Sequence, residues 1–233
     1  MKTLAMITAR GGSKRIPHKN IKDFLGRPII TYSIEAALNS GVFDTVMVST
    51  DDEEIAEIAK KAGAEVPFFR SAAASNDYAT TSDVILEVLD TYAARDEHFD
   101  IAACIYPTAP FITAGKLQKA MTTFTDSAAD TLIPVVRFSY PVQRSLIEKD
   151  GFLQMAYPEF IDTRSQDLPP HFHDAGQFYI LRTASFYKNK KLMEGLILPF
   201  ELSENEVQDI DTETDWQIAE MKYRLMQEGA HRC

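Results

Sequence analysis

The amino-acid sequence predicts an α/β protein with a mostly parallel sheet and helices on both faces, and three observations carry that prediction. Short apolar runs alternate with amphipathic segments through the first 136 residues, as parallel neighbours joined by crossover connections require. The first run, 4–9, leads directly into Arg10-Gly11-Gly12-Ser13-Lys14-Arg15-Ile16-Pro17-His18-Lys19-Asn20, and open α/β sheets bind ligands beyond strand ends of this kind. The 233 residues, 45% hydrophobic and 25% charged, suffice for one large core, so a single domain over 1–233 is expected.

Each element follows from its local pattern. The run 4–9 is apolar except for Thr8, as a buried strand is. Pro28 suits a first helical turn, and Ile30, Ile34, Ala37 and Leu38 share a face until Asn39-Ser40-Gly41 stops the helix. A strand over 45–50 follows. Asp51 is expected to cap the next helix, with Glu54 completing a capping box and Ile55, Ile58, Ala59 and Ala62 turned inward before Gly63. The pattern then predicts a strand over 65–69, a loop, a helix over 82–94, a strand over 101–106, a helix over 113–124 and a strand over 131–136.

Beyond Arg137 the rhythm breaks. Prolines, aromatics and charges fill 137–174, with a turn at Asp150-Gly151 between Leu146-Ile147 and Phe152-Leu153. This reads as an inserted arm. Exposure of Tyr140, Phe152, Tyr157 and Phe160 is costly in water, so the arm is expected to pack on a second subunit, making a homodimer; a plain surface excursion is the alternative. A strand over 177–181 and a short helix over 184–187 return to the core. A last helix over 212–228 sets Trp216, Ala219, Tyr223 and Met226 on one side.

Charge narrows the function. Between Arg10 and Lys22 stand five Lys or Arg and no acid, in a chain of net charge -10. A solvated face is the bland reading, but the position after the first strand favours a bound phosphate, with the two glycines turning backbone N–H groups toward it. Neither a Walker loop nor a Gly-x-Gly-x-x-Gly fingerprint is present. An acidic chain with its basic residues gathered in one loop argues against nucleic acid and for a small anion. No apolar stretch approaches the roughly 20 residues of a membrane helix, so a cytoplasmic protein without membrane association is expected. Cys104 and Cys233 make neither a disulfide framework nor a zinc motif.

Asp209 and Asp211, one residue apart in an extended segment, aim both carboxylates the same way, an arrangement suited to Mg²⁺. Helix capping by Asp211 or Thr212 is the structural alternative, and the two are compatible. His171 and His173 have same-face spacing on a strand, yet a transition-metal site needs further ligands and none is evident. Hydrogen bonding to a ligand is the preferred reading.

The segment from Ala9 to Asn20 resembles the signature of the cytidylyltransferases that activate nine-carbon acidic sugars, the nonulosonic acid family that includes the CMP-sialic acid synthetases. The likeness continues through Val48-Ser49-Thr50-Asp51-Asp52-Glu53-Glu54-Ile55-Ala56, Ala64 to Arg70, Tyr106-Pro107-Thr108-Ala109-Pro110-Phe111 and Asp209-Ile210-Asp211-Thr212, in order across nearly the whole chain. It implies a Rossmann-like nucleotidyltransferase sheet and a Mg²⁺-dependent reaction in which the anomeric hydroxyl of a 2-keto sugar acid attacks the α-phosphorus of CTP and pyrophosphate leaves. By the same resemblance, Arg10, Gly11, Gly12, Ser13, Lys14, Lys19 and Asn20 hold the triphosphate, with Arg10 and Lys19 stabilising the leaving group. Asp209 and Asp211 hold the metal. Either carboxylate, or a metal-bound hydroxide, takes the sugar's proton.

Backbone near Ala9, Arg70 and the Ala79-Thr80-Thr81 segment are implied for the base, although Arg70 alone reads as a surface ion pair and Thr80-Thr81 as a helix cap. Through the stretch His171 to Tyr179 the chain most resembles the members of the family that act on pseudaminic acid, and the resemblance implies that sugar, with legionaminic and sialic acids as alternatives. Relatives acting on sialic acid carry Gln-Pro-Thr-Ser-Pro-Leu-Arg where this chain has Tyr106 to Ile112, a departure that argues against sialic acid itself. Tyr106, Arg164, His173, Asp174, Gln177 and Phe178 are the expected sugar contacts, with Arg164 on the sugar carboxylate. Phe178 and Tyr179 alternate faces, so one of them lines the pocket while the other packs in the core. A non-catalytic nucleotide-sensing protein is the rival of another class.

Overall fold

Strand β1 (Thr3–Thr8) is flanked by β4 (Thr45–Ser49) and β5 (Ile101–Ile105), both parallel to it. Before β4 come the small hairpin β2 (Asp23–Phe24) and β3 (Arg27–Pro28) and helix α1 (Ile30–Ser40); after it come α2 (Glu53–Lys61), α3 (Ala72–Ser75) and α4 (Thr81–Ala93). Helix α5 (Ala114–Thr125) leads to β6 (Thr131–Arg137), the hairpin β7 (Leu146–Lys149) and β8 (Phe152–Met155), then β9 (Phe172–Asp174) and β10 (Phe178–Arg182). Helix α6 (Thr183–Asn189), β11 (Ile197–Glu201) and α7 (Glu213–Ala230) complete the chain. The computed structural model describes residues 1–230, so Cys233 lies outside the described residues.

The main sheet runs β11-β6-β10-β5-β1-β4, with β9 also paired to β6. It is mostly parallel, but β10 enters antiparallel between β5 and β6, and β9 is antiparallel to β6. Alternate residues of each strand feed opposite layers, as the period of two demands. Ala5, Ile7, Val48 and Ala103 meet α1, α2 and α5 through Ile34, Ile55, Leu117 and Phe124. Leu4, Met6, Met47 and Ala102 meet α4 through Ile85, Val88, Leu89 and Tyr92. Helices thus cover both faces. No described helix is long and apolar enough to cross a membrane.

A third apolar cluster positions the site. Phe24, fully buried, has its ring centroid 5.4 Å from Tyr32, 5.6 Å from Trp216 and 5.6 Å from Tyr223, all edge-on. Edge-on aromatic pairs contribute about 0.5–1.5 kcal/mol each beyond area burial. With Ile16 and Ile210 in the same cluster, α7 and the acidic segment before it are clamped to the loop that follows β1.

Several sequence expectations are corrected. Pro28 pairs with Asp23 in the β2–β3 hairpin and α1 starts two residues later; Leu38 on α1 is exposed. The cap of α2 is Asp52, not Asp51: Asp52 accepts the Ile55 N–H, while the Asp51 carboxylate accepts the Gly11 N–H. Of 65–69 only Glu65 bridges to Met47, because Pro67 has no N–H to continue a ladder. The Asp150-Gly151 turn joins β7 and β8, both residues at positive φ as a primed turn needs. The arm closes earlier than 174, since Phe172–Asp174 rejoins the main sheet as β9.

Candidate active site

The loop leaving the carboxyl end of β1 is held from three directions. Gly11 donates its N–H to Asp51 Oδ1 at 2.9 Å, Ser13 N–H donates to the Gly11 carbonyl at 2.9 Å, and the buried Asn20 donates Nδ2 to the Arg10 carbonyl at 2.9 Å. A methyl on Gly11 would stand 2.6 Å from Asp52 Oδ2 and 2.9 Å from Asp52 Cβ. Close approach to the start of α2 is therefore what demands glycine at position 11. Its N–H is engaged by the protein's own Asp51 carboxylate and does not line the cavity, which corrects the expectation that it is turned toward a bound phosphate.

Two cavities, of about 590 and 520 Å³, meet at shared residues, and the loop lines the larger of them. On the larger side, Arg10, Ser13, Lys14, Arg15, Lys19 and Asn20 form one wall. Arg70, Ala79, Thr80 and Thr81 form another, and Asp209 and Asp211 close the end. Carboxylates already engage the cations. Arg10 Nη1 donates to Asp77 Oδ1 at 3.1 Å and to the Asn76 carbonyl at 3.2 Å, and Lys14 donates to Asp77 Oδ2. The Lys14 hydrogen bond, ahead of the charges around it, holds the Asp77 carboxyl below the ordinary carboxylate range.

Arg15 donates to Asp211 Oδ2 at 2.7 Å. Lys19 Nζ lies 3.5 Å from Asp211 Oδ1 and donates to the Ile210 carbonyl at 2.7 Å. Asp209 stands apart from these pairs: burial first, and then the Asp211 charge, raise its carboxyl above the ordinary value. Thr212 and Asp215 bond reciprocally at the start of α7, so Thr212 and not Asp211 supplies the cap. Both aspartates of the doublet are left facing the cavity. Among the described residues no group of three or more His, Cys, Asp or Glu is arranged for a metal.

The smaller side is lined by Tyr106, His173, Asp174, Tyr179, Asp209 and Lys222. Asp174 Oδ2 accepts the Tyr179 hydroxyl at 2.6 Å and Oδ1 accepts the Gly176 N–H at 2.8 Å. Lys222 is committed to the carbonyls of Glu204 and Val207. Tyr106 and Asp209 border both sides. One cationic chamber and one predominantly acidic chamber thus meet at a carboxylate.

A family model described as Cytidylyltransferase matches residues 4–205. The chain belongs to the cytidylyltransferase family. It is 40% identical over 231 residues to pseudaminic acid cytidylyltransferase of Campylobacter jejuni, covering 99% of this chain and 100% of that protein. It is 33% identical over 240 residues to CMP-N,N'-diacetyllegionaminic acid synthase of Legionella pneumophila, covering 98% and 99%. The fold is similar to a CMP:2-keto-3-deoxy-manno-octonic acid synthetase solved with CTP, with a TM-score of 0.70 and 19% identity over 98% of this chain and 100% of that one. This last likeness concerns the fold alone.

Within this cytidylyltransferase the expected residues fall into two groups. Arg10, Ser13, Lys14, Lys19, Asn20, Arg70, Ala79, Thr80 and Thr81 converge on the cationic chamber with Asp209 and Asp211. Ala9, Gly11 and Gly12 shape the loop without lining the chamber; Ala9 is fully buried and its N–H bonds the Ser49 carbonyl. Arg70 is no surface pair: it is buried, donating to Ser49 Oγ at 3.0 Å and to the Ser49 carbonyl at 2.6 Å, and burial lowers its pKa. Thr80 forms the capping box of α4 with Asp83, while Thr81 reaches Tyr106.

On the acidic side Tyr106, His173 and Asp174 come together, but Phe178 does not join them. Phe178 is fully buried in the opposite layer and Tyr179 is the partner that lines the cavity. Gln177 is also buried, donating to the Glu206 carbonyl. Arg164 lies on the arm paired with Asp167 at 2.7 Å and borders neither chamber. Tyr179 is the member of the Phe178–Tyr179 pair that lines the pocket, and Arg15, Asp77 and Lys222 are lining residues that sequence reasoning left out of the site; the only signal for Asp77 was its place ahead of α4.

Proposed function

We propose that this chain transfers CMP from CTP to the anomeric hydroxyl of a nine-carbon 2-keto sugar acid, pseudaminic acid, releasing pyrophosphate. The observation that carries the reading is the meeting of the two chambers at Asp209 and Tyr106, in a chain 40% identical from end to end to a pseudaminic acid cytidylyltransferase. The triphosphate lies along Arg10, Lys14, Arg15 and Lys19, replacing the carboxylates of Asp77 and Asp211 as their partner. Arg10 and Lys19 then meet the charge that grows on the departing pyrophosphate, and alignment plus cationic stabilisation supply most of the acceleration in such transfers.

Asp209 and Asp211 fit Mg²⁺ by donor chemistry: two hard carboxylates on one cavity wall, one of them unpaired, beside the phosphate groove. When bound, Mg²⁺ supplies charge that polarises the phosphates. Asp209, the member of the doublet that also borders the sugar chamber, is the group within reach of the attacking hydroxyl for proton removal. Leu146, Ile147, Phe152 and Leu153 on the β7–β8 hairpin are all more than half exposed, and a homodimer through this arm covers them. The dimer also explains Arg164, which serves a neighbour's sugar chamber if the arm crosses over. The setting is the cytoplasm.

The 33% identity to a CMP-legionaminic acid synthase supports a second reading in which the sugar is legionaminic acid. Pyrophosphate release with CTP and Mg²⁺, measured against pseudaminic, legionaminic, N-acetylneuraminic and 3-deoxy-manno-octulosonic acids in parallel, separates the readings. Release with pseudaminic acid alone is expected. Silence with every sugar from folded, CTP-binding protein refutes the catalytic reading and favours a nucleotide sensor.

A further inference from the structure

Two tyrosines meet where the chambers join: Tyr106 borders both and Tyr179 borders the smaller. Tyr179, on β10, is buried against Tyr106 at the end of β5, with ring centroids 5.6 Å apart and the rings edge-on. On the nucleotide side, the Tyr106 hydroxyl lies 3.0 Å from Thr81 Oγ1 in the first turn of α4. On the sugar side, Tyr179 donates to Asp174 Oδ2 at 2.6 Å. Burial is the main cause of the raised pKa of both phenols, and Tyr106 and Asp174 add to it at Tyr179. Both rings therefore stay protonated and able to donate at any physiological pH.

The geometry at Asp174 has a chemical consequence. One oxygen takes the Tyr179 hydroxyl and the other the Gly176 N–H, so the carboxylate is fixed from below. Each carboxylate oxygen accepts more than one hydrogen bond, and the remaining lone pairs face the cavity. A carboxylate held in place by two donors recognises a further donor, either a hydroxyl or an amide N–H, and disfavours a second carboxylate. Glu204 and Asp209 on the same walls add to that effect.

We propose that Tyr179 is a positioning residue for the sugar: it holds Asp174 to accept a hydroxyl or amide N–H of the acceptor, and the chain Thr81, Tyr106, Tyr179, Asp174 ties that contact to the nucleotide wall. The proposal rests on the functional reading above, which assigns the acidic chamber to the sugar. The acceptor's own carboxylate is then directed away from Asp174.

Steady-state pyrophosphate release by the full chain tests this, with CTP and the sugar varied in turn. Tyr179→Phe keeps the ring and removes only the hydroxyl. The expected result is a sugar KM raised about ten-fold or more, the scale of a lost hydrogen bond to a charged group. The CTP KM and the thermal midpoint should stay near wild type. Asp174→Asn should raise the sugar KM as well, and adding Tyr179→Phe to it should cost little more, because Tyr179 acts through Asp174.

A sugar KM for Tyr179→Phe within two-fold of wild type overturns the proposal, as does an equal rise in the CTP KM or full additivity with Asp174→Asn. If Tyr179→Phe does not fold, Asp174→Asn decides alone, since Asp174 is exposed; an unchanged sugar KM there overturns it too. Wild-type protein that releases no pyrophosphate with any acidic sugar removes the functional reading and this proposal together. Active wild type with an indifferent Tyr179→Phe removes the proposal alone.

Discussion

Gly11→Ala offers a quantitative test of how the basic loop is held. The φ of Gly11 is not in the left-handed region, so alanine meets no backbone strain; the obstacle is Asp52, 2.6 Å from the new methyl at Oδ2 and 2.9 Å at Cβ. Asp52 cannot simply swing away. Its Oδ1 accepts the Ile55 N–H at 3.0 Å and caps α2, a contact whose loss costs about 1 kcal/mol. Forcing a methyl into a packed site costs about 1–3 kcal/mol.

The strain is shared between the α2 cap and the loop that aims Arg10, so about 1–3 kcal/mol of lost stability is expected. The fraction that falls on the loop lowers kcat/KM by roughly ten-fold for each 1.4 kcal/mol. Thermal unfolding and pyrophosphate release read the two parts. Asp52→Gly, which removes both the Oδ2 and the Cβ contacts, should alone lose only the side-chain cap, and the double variant should be less damaged than the sum by about 1 kcal/mol or more, because the methyl then has room. Strict additivity, or a Gly11→Ala enzyme equal to wild type in both assays, refutes the steric account.

Arg10→Ala should depress kcat by about 10²–10³, the scale of a lost oxyanion donor, and should do so with every accepted sugar alike; a defect confined to one sugar moves Arg10 out of the triphosphate site. Asp211→Ala should abolish turnover but shift the unfolding midpoint little, since its partner Arg15 is exposed and its half-buried partner Lys19, 3.5 Å away, keeps its bond to the Ile210 carbonyl, so each pair contributes about 0–1 kcal/mol. Retained turnover at saturating Mg²⁺ removes its metal role. For Asp209 the folded carboxyl sits above its ordinary value of 3.8. The folded state therefore holds the proton more tightly, and this group's effect on stability is best at low pH and worsens as pH rises from about the ordinary value through the raised one. Asp209→Asn should flatten that difference in a series of thermal midpoints against pH while turnover collapses; a midpoint at neutral pH well below wild type contradicts the assignment. Phe152→Asp combined with Leu153→Asp should convert a dimer to monomers in sedimentation without unfolding the sheet, whereas an unchanged sedimentation coefficient removes the arm from the interface.

How much of this was legible in the sequence depended on whether the deciding partner was near in the chain. The strand–loop unit at 4–20 could be read because apolar run, glycines and cations are contiguous. The choice between Asp51 and Asp52 as cap could not, because it is made by the Gly11 N–H, 40 positions away. β11 was hidden by Pro199, which argues against a central strand; the sheet order puts it at the edge, where proline is tolerated. The alternation of Phe178 and Tyr179 was legible, but which of them faces the cavity is set by the register of β10 on β5, and no local pattern encodes register. Strand direction was equally silent: β10 is as apolar as a parallel strand because both its faces are covered.

The same distinction explains how an acidic chain keeps a cationic loop in shape. Arg10, Lys14, Arg15 and Lys19 crowd one chamber wall, and their mutual repulsion opposes the fold when no anion is bound. Asp77 from the turn before α4 and Asp211 from the segment before α7 each engage two of these cations. Three of these pairs are exposed on at least one side and the fourth, Lys19–Asp211, spans 3.5 Å, and such pairs are individually weak. They are strong enough to order the side chains and weak enough for a polyanion to replace them. The clamp that keeps Asp211 in range is apolar, the Phe24–Trp216–Tyr223 cluster, which does not compete for charge. Rigidity comes from the aromatic cluster and exchangeability from the ion pairs, so a triphosphate can enter without the two acidic and basic segments moving apart.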